Sequence, residues 1–133
     1  MFQETYSVSL KLLFLILLFP AGLLAQDAEL EKKVMRSHDN GKPHVILYFN
    51  KENNDLVKEE VFYSSGKMEW TGTYKNNKEN GIWQFYHKNG SVKTVENYQN
   101  GKEHGVCTHY DDKGKKVKES YWKNGRMVKE VNF

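Results

Sequence analysis

The sequence predicts an all-β protein, an antiparallel meander of stacked β-hairpins in a single elongated sheet. Three observations predict it. A period of 24 residues runs without gaps through "VFYSSGKMEWTGTYKNNKENG", "FYHKNGSVKTVENYQNGKEHG" and "HYDDKGKKVKESYWKNGRMVK", which begin at Val61, Phe85 and His109. Each unit carries two turn signals, the first "SSG", "KNG" or "DKG" and the second "NNKENG" or "NGKEHG". The residues between the signals are β-branched or aromatic and of strand length, as in "IWQFYH" and "SVKTVENY". Two strands and two turns per unit make a hairpin repeated head to tail, with the first turn expected to be tight and the second longer.

Along the chain, residues 1–25 read as a secretory signal peptide. Lys11 precedes an apolar run at 12–19, then Pro20-Ala21-Gly22 and Leu23-Leu24-Ala25. The run is short for a membrane span and suits an exported leader. Cleavage is expected between Ala25 and Gln26, with the mature protein periplasmic, in the outer envelope or secreted. An uncleaved anchor is the competing reading. No Cys follows the run, which speaks against a lipid anchor. Residues 26–44 form a polar lead-in, expected to be mobile from Gln26 to about Lys33. Its start reads either as a helical turn or two, with Leu30 and Val34 on one side, or as an extended segment that turns at Asp39-Asn40-Gly41. The extended reading is preferred, because the strongly apolar strand at 45–49 needs a partner.

The repeat domain is expected over 45–133, with copies at about 58–81, 82–105 and 106–129 and a degenerate copy at about 41–57. Gly66, Gly90 and Gly114 align at the first turn, and Asn76, Asn100 and Asn124 at the second. Asn77 stands where Gly101 and Gly125 stand, an exchange expected where the backbone adopts positive φ. Gly81 and Gly105 close two copies. Strand alternation puts Trp83 and Phe85 on one face and Ile82, Gln84 and Tyr86 on the other. Met68, Trp70, Gly72 and Tyr74 share a face, as do Val92, Thr94, Glu96 and Tyr98, and Lys116, Lys118, Ser120 and Trp122. Apolar character fades toward the C-terminus, as a capping repeat requires.

The pattern G-x-W-x-x-Y-x-x-N-G at 81–90, followed by Y-x-N-G-K-x-x-G at 98–105, resembles the bacterial MORN-repeat variant family, whose members include proteins labelled YwqK-family antitoxins. The likeness covers about 56–133 and, weakly, 41–49. It implies stacked hairpins and a binding or scaffolding role without catalysis. The last copy departs from the pattern, with Cys107 in place of Trp83 and His109 in place of Phe85.

The charge balance narrows the function. The chain has 20 Lys and Arg against 17 Asp and Glu, and without the leader's Lys11 and Glu4 the balance stays at +3. Both signs are interleaved, and no block of like charge suggests a nucleic-acid track. "KGKKVK" reads as the solvated face of a hairpin. The lone Cys107 excludes an intramolecular disulfide and reads as a buried structural thiol. The five histidines show no metal-ligand spacing, and neither a nucleophile elbow nor a phosphate cradle is present. Glu59 and Glu60, adjacent on a strand, point to opposite faces and cannot share a site. Neither metal nor cofactor is expected, and no enzymatic activity.

The expected function is an exported interaction or scaffolding module that offers an aromatic- and lysine-bearing sheet to another protein. The candidate binding residues are Trp70, Tyr74, Trp83, Phe85, Tyr98 and Trp122. Core packing is the competing role for each, and at least one of Trp70, Tyr74, Trp83 and Tyr98 is expected to be substantially exposed beside lysines. Binding of envelope glycan or anionic lipid headgroups, and neutralisation of a toxin, are the alternative functions. The last strand, 127–133, is an expected open edge able to pair with a second chain.

Overall fold

The computed structural model describes residues 29–133; the leader, with its expected cleavage between Ala25 and Gln26, lies outside the described residues. All regular structure there is strand: β1 (Leu30–Ser37), β2 (Pro43–Asn50), β3 (Leu56–Phe62), β4 (Met68–Lys75), β5 (Lys78–Glu79), β6 (Gly81–Tyr86), β7 (Val92–Gln99), β8 (Lys102–Glu103), β9 (Gly105–Tyr110), β10 (Lys116–Lys123) and β11 (Arg126–Asn132). They form one open antiparallel sheet in the order β1-β2-β3-β4-β6-β7-β9-β10-β11, with β5 paired to β4 and β8 to β7. Sequential strands lie side by side, so each hairpin touches only its neighbours.

The first turn recurs four times with the same bonds. Gly66 N donates to Tyr63 O and Tyr63 N to Lys67 O, and the same pair of bonds closes 87–91, 111–115 and 38–42. The turn at 38–42 shows that the repeat starts earlier than the sequence suggested. The lead-in expected at 26–44 contains β1, in register with β2 through Val34 opposite Ile46 and Lys33 opposite Leu47. The stretch expected to be mobile to Lys33 is thus strand from Leu30 onward. The degenerate copy begins with this hairpin rather than at 41. Its turn glycine, Gly41, precedes Gly66 by 25 residues rather than 24, and that one-residue drift hid it.

The turn lengths are the reverse of those expected. The first turn carries a three-residue loop that ends in a positive-φ glycine. The second is the tight one. Lys75 pairs directly with Lys78 around Asn76-Asn77, whose φ values are 52° and 55°, a two-residue primed turn. The second signal looked long because a two-residue return strand (β5 or β8) and a kink follow the turn. Asn77 does adopt the conformation of its glycine counterparts Gly101 and Gly125, at 79° and 77°. Gly66, Gly81, Gly90, Gly105 and Gly114 also hold positive φ.

The kink at Gly81 sets the register. Tyr74 pairs with Glu79, but Thr71 pairs with Gln84, two residues out of step. A shift of two keeps each side chain on its face, whereas a shift of one reverses it. Tyr98–Glu103 and Val95–Thr108 repeat the offset around Gly105. Lys129 occupies the same place in the last copy, and there the shift is one residue: Trp122 pairs with Met127 and Tyr121 with Lys129. Glu130 therefore takes the face that holds Trp83 and Cys107 in earlier copies, and Val131 turns away from it.

Side chains beyond each turn clamp the next. Tyr63 Oη donates to Tyr86 O (2.8 Å) and His87 Nε2 to Tyr110 O (3.1 Å), and His38 Nε2 does the same to Phe62 O (2.7 Å). The core is thin. Ile46, Val61, Trp83 and Cys107 are buried with Thr94 and Ser120, and all but Ile46 lie on one face.

Candidate binding face

Residues directly opposite in antiparallel pairs share a face. The registers Val61–Trp70–Phe85–Thr94–His109–Lys118 and Glu59–Gly72, Trp83–Glu96 and Cys107–Ser120 assemble one face from most of the positions that alternation grouped in the sequence. Met68, Val92 and Lys116 leave it, because a bulge beside each first turn pairs them with Phe62, Tyr86 and Tyr110 on the other face. Five of the six expected binding residues meet there. Trp83 stacks on Trp70 at 5.1 Å and 17°, meets Tyr74 edge-on at 5.4 Å and lies 5.5 Å from Tyr98, while Trp70 is 6.2 Å from Phe85. Trp122 stands apart, its Nε1 donating to Ser120 Oγ at 3.2 Å.

Trp83, only 7% exposed, is the packed centre of the face rather than a free contact. It fits because the preceding strand offers Gly72, where a Cβ would lie 2.3 Å from the indole ring. Its Nε1 donates to Thr73 O (3.2 Å), so the ring's one polar group is bonded. Trp70, Tyr74, Phe85 and Tyr98 are half-buried, with one side toward the stack and the other open. None of the four residues expected to include a substantially exposed ring reaches that level, because the rings cover one another.

Their charged neighbours are carboxylates, not the expected lysines. Tyr74 Oη donates to Glu59 Oε2 (2.9 Å) and Tyr98 Oη to Glu96 Oε2 (3.1 Å), and Glu79 and Glu103 sit directly opposite the two tyrosines. Burial and then the neighbouring carboxylates push both phenols far up. Burial also holds Glu96 above the usual carboxylate range despite the Tyr98 bond, and burial together with the charge of Glu96 does so for Glu103. Among the described residues, ammonium groups lie instead over Tyr48, Phe49, Tyr121 and Phe133. The reason is register. Lys58 and Glu60 share the opposite face with Tyr48, where Lys58 Nζ lies 2.6 Å from Glu60 Oε1 and Tyr48 Oη donates to Glu60 Oε2 (2.7 Å). Glu59 and Glu60 do point to opposite faces, as expected.

Sequence reading missed Glu79 and Glu103 as parts of the face. A signal existed, since Glu follows each repeated Tyr five residues later in "YKNNKE" and "YQNGKE". It also missed that Cys107 has a histidine beside it: His109 Nε2 is 3.3 Å from the Sγ, and its Nδ1 is 3.3 Å from Thr94 Oγ1. This trio is not an activated thiol. Burial and the charge of Glu96 push Cys107 up to about 11, and burial and Lys118 push His109 down, so both stay neutral near pH 7. Among the described residues no cluster of His, Cys, Asp and Glu is arranged to hold a metal ion.

No curated protein matches the chain. Residues 79–100 and 103–124, which span the hairpins that carry Trp83, Tyr98, Cys107 and Trp122, match the family described as the MORN repeat variant. They are two adjacent MORN-variant repeats in one open hairpin sheet.

Proposed function

We propose that this protein is a non-enzymatic binding scaffold that docks a protein partner on the open aromatic face between β3 and β10. One observation carries the reading: Trp70, Tyr74, Phe85 and Tyr98, joined through the buried Trp83, form a continuous aromatic cluster, half-open to solvent, on a face that no other described element covers. Large rings already fixed by mutual packing give contact area with little further loss of side-chain freedom. Export to the envelope or medium remains part of the proposal, and rests on Lys11 and the apolar run at 12–19. Export also sets the toxin-neutralising alternative aside, unless the toxin is exported too. Anionic headgroup binding fits less well, because carboxylates flank the rings.

The test is capture of partners by the mature chain from its own envelope fraction. Trp70→Ala and Phe85→Ala should abolish capture, and Ile82→Ala, on the opposite face, should leave it intact; Ile82 is 58% exposed. Unchanged capture by variants that still melt cooperatively refutes the docking face.

A further inference from the structure

The aromatic face carries a charge pattern that says what kind of segment fits it. Tyr74 is paired with Glu79 and, one repeat on, Tyr98 with Glu103, so ring and carboxylate alternate across consecutive strands. Glu59 and Glu96 sit on the same side of the sheet, bonded to the two phenols. The ion pairs among the described residues leave all four out: Lys58–Glu60 and Lys116–Glu119 lie on the opposite face, Lys118–Glu130 at the C-terminal end, and Lys33–Glu31 and Lys51–Glu29 at the N-terminal edge. In a chain of net charge +3, unpaired acids are thus gathered around the stack.

We propose that this face takes an extended cationic segment of a partner protein, with Arg or Lys side chains seated between Tyr74 and Tyr98 against Glu79, Glu96 and Glu103. The inference rests on the docking face proposed above and names the chemistry of its partner. A cation meets two attractions here, the ring faces and the carboxylates, whereas an anion meets repulsion. Burial already raises Glu96 and Glu103, and the charge of Glu96 adds to it at Glu103; an arriving cation favours the charged form of both. Spacing adds a constraint. Equivalent sites are two strand steps apart, roughly 10 Å. Three residues of polyproline-type chain make one turn and cover about the same length, so basic residues at every third position match the face.

The experiment titrates the full chain, followed by tryptophan fluorescence, with a short peptide bearing Arg at every third residue, with its Glu counterpart, and with phosphatidylserine vesicles. The Arg peptide should bind, and more weakly as salt is added. The combined variant Glu79→Gln, Glu96→Gln and Glu103→Gln should bind it at least roughly tenfold more weakly, about 1.4 kcal/mol, without loss of thermal stability. Equal binding by parent and variant, or preference for the Glu peptide or the vesicles, overturns the proposal. A parent chain that ignores the Arg peptide, yet loses its captured partner on Phe85→Ala, overturns the cationic ligand alone. Loss of neither overturns the docking face as well.

Discussion

The repeat centred on Trp83 and the repeat centred on Cys107 share turns, strand lengths and the two-residue offset at their opening glycines, yet fill the same interior position very differently. Trp83 lies over Gly72 and opposite Glu96; Cys107, one repeat later, lies beside Glu96 and opposite Ser120. Both are buried, at 7% and 4% exposure. A large ring is accommodated by an absent side chain on the preceding strand, and a small thiol by a long side chain there. The backbone frame is therefore held by its turns and pairings, and interior volume is settled locally between adjacent strands. That separation of duties lets one repeat carry a ring stack while the next does not.

We predict that the two positions respond differently to mutation, with the largest effect first. Trp83→Ala should cost roughly 3–5 kcal/mol, as buried aromatic truncations do, and denaturant melts measure it. Cys107→Ala should cost far less; equal losses would show that the ring stack contributes nothing beyond its repeat frame. Next in size are two overpacking variants, Gly72→Ala and Cys107→Trp, each expected to cost about 1–3 kcal/mol. The first drives a methyl into the indole and the second drives an indole into Glu96. Combining Cys107→Trp with Glu96→Gly recreates the Gly72–Trp83 arrangement and should recover part of the loss, whereas strict additivity would contradict the local fit.

Gly101→Val should cost on the order of 1–2 kcal/mol or more, because a β-branched residue resists positive φ. Gly101→Asn should be nearly silent, given Asn77; a Cβ there meets only the Glu79 carboxylate at 3.3 Å and Lys78 Cβ at 3.8 Å, and the former can move. Equal melting losses would sink the left-handed reading.

The smallest effect is Glu96→Gln, expected to stabilise by under about 1 kcal/mol at neutral pH. A carboxyl with a raised folded-state pKa contributes stability that is fully present below its unfolded value, near 4.3, and lost as pH rises through the folded value. The advantage of the variant should therefore shrink as pH falls and vanish once the parent carboxyl is protonated. Glu60 runs the other way. Burial raises it, but the bonds from Lys58 and Tyr48 and the charges of Lys58 and Lys32 outweigh that and lower it. Its contribution is common to parent and variant, so it cancels in a comparison of melting temperature against pH.

What the sequence disclosed follows from what is periodic. Alternation grouped Trp70 with Tyr74 and Trp83 with Phe85 on their own strands, and the Asn77–Gly101 exchange revealed a left-handed turn position. The fit of Trp83 over Gly72 was hidden, because which residues adjoin across β4 and β6 depends on the two-residue offset at Gly81. The carboxylates were hidden for a related reason. Glu79 and Glu103 sit inside stretches that look like turn, and only the short return strands aim them at the tyrosines. β1 was hidden because its charged sequence, "LEKKVMRS", has little strand character of its own and takes its pairing from β2.

The turn clamps and strand pairs link only neighbouring hairpins, and the described residues begin at one edge of the sheet and end at the other. Tension applied between the two ends would load those links in series, like the teeth of a zip. The two edge hairpins, whose outer strands β1 and β11 are exposed along most of their length, are the expected first to part. Each released repeat of 24 residues would then lengthen the molecule by about 80 Å of extended chain, a sawtooth that single-molecule pulling resolves. A sheet built in this way would yield to mechanical load in instalments, shortening its aromatic face one repeat at a time while the remainder holds.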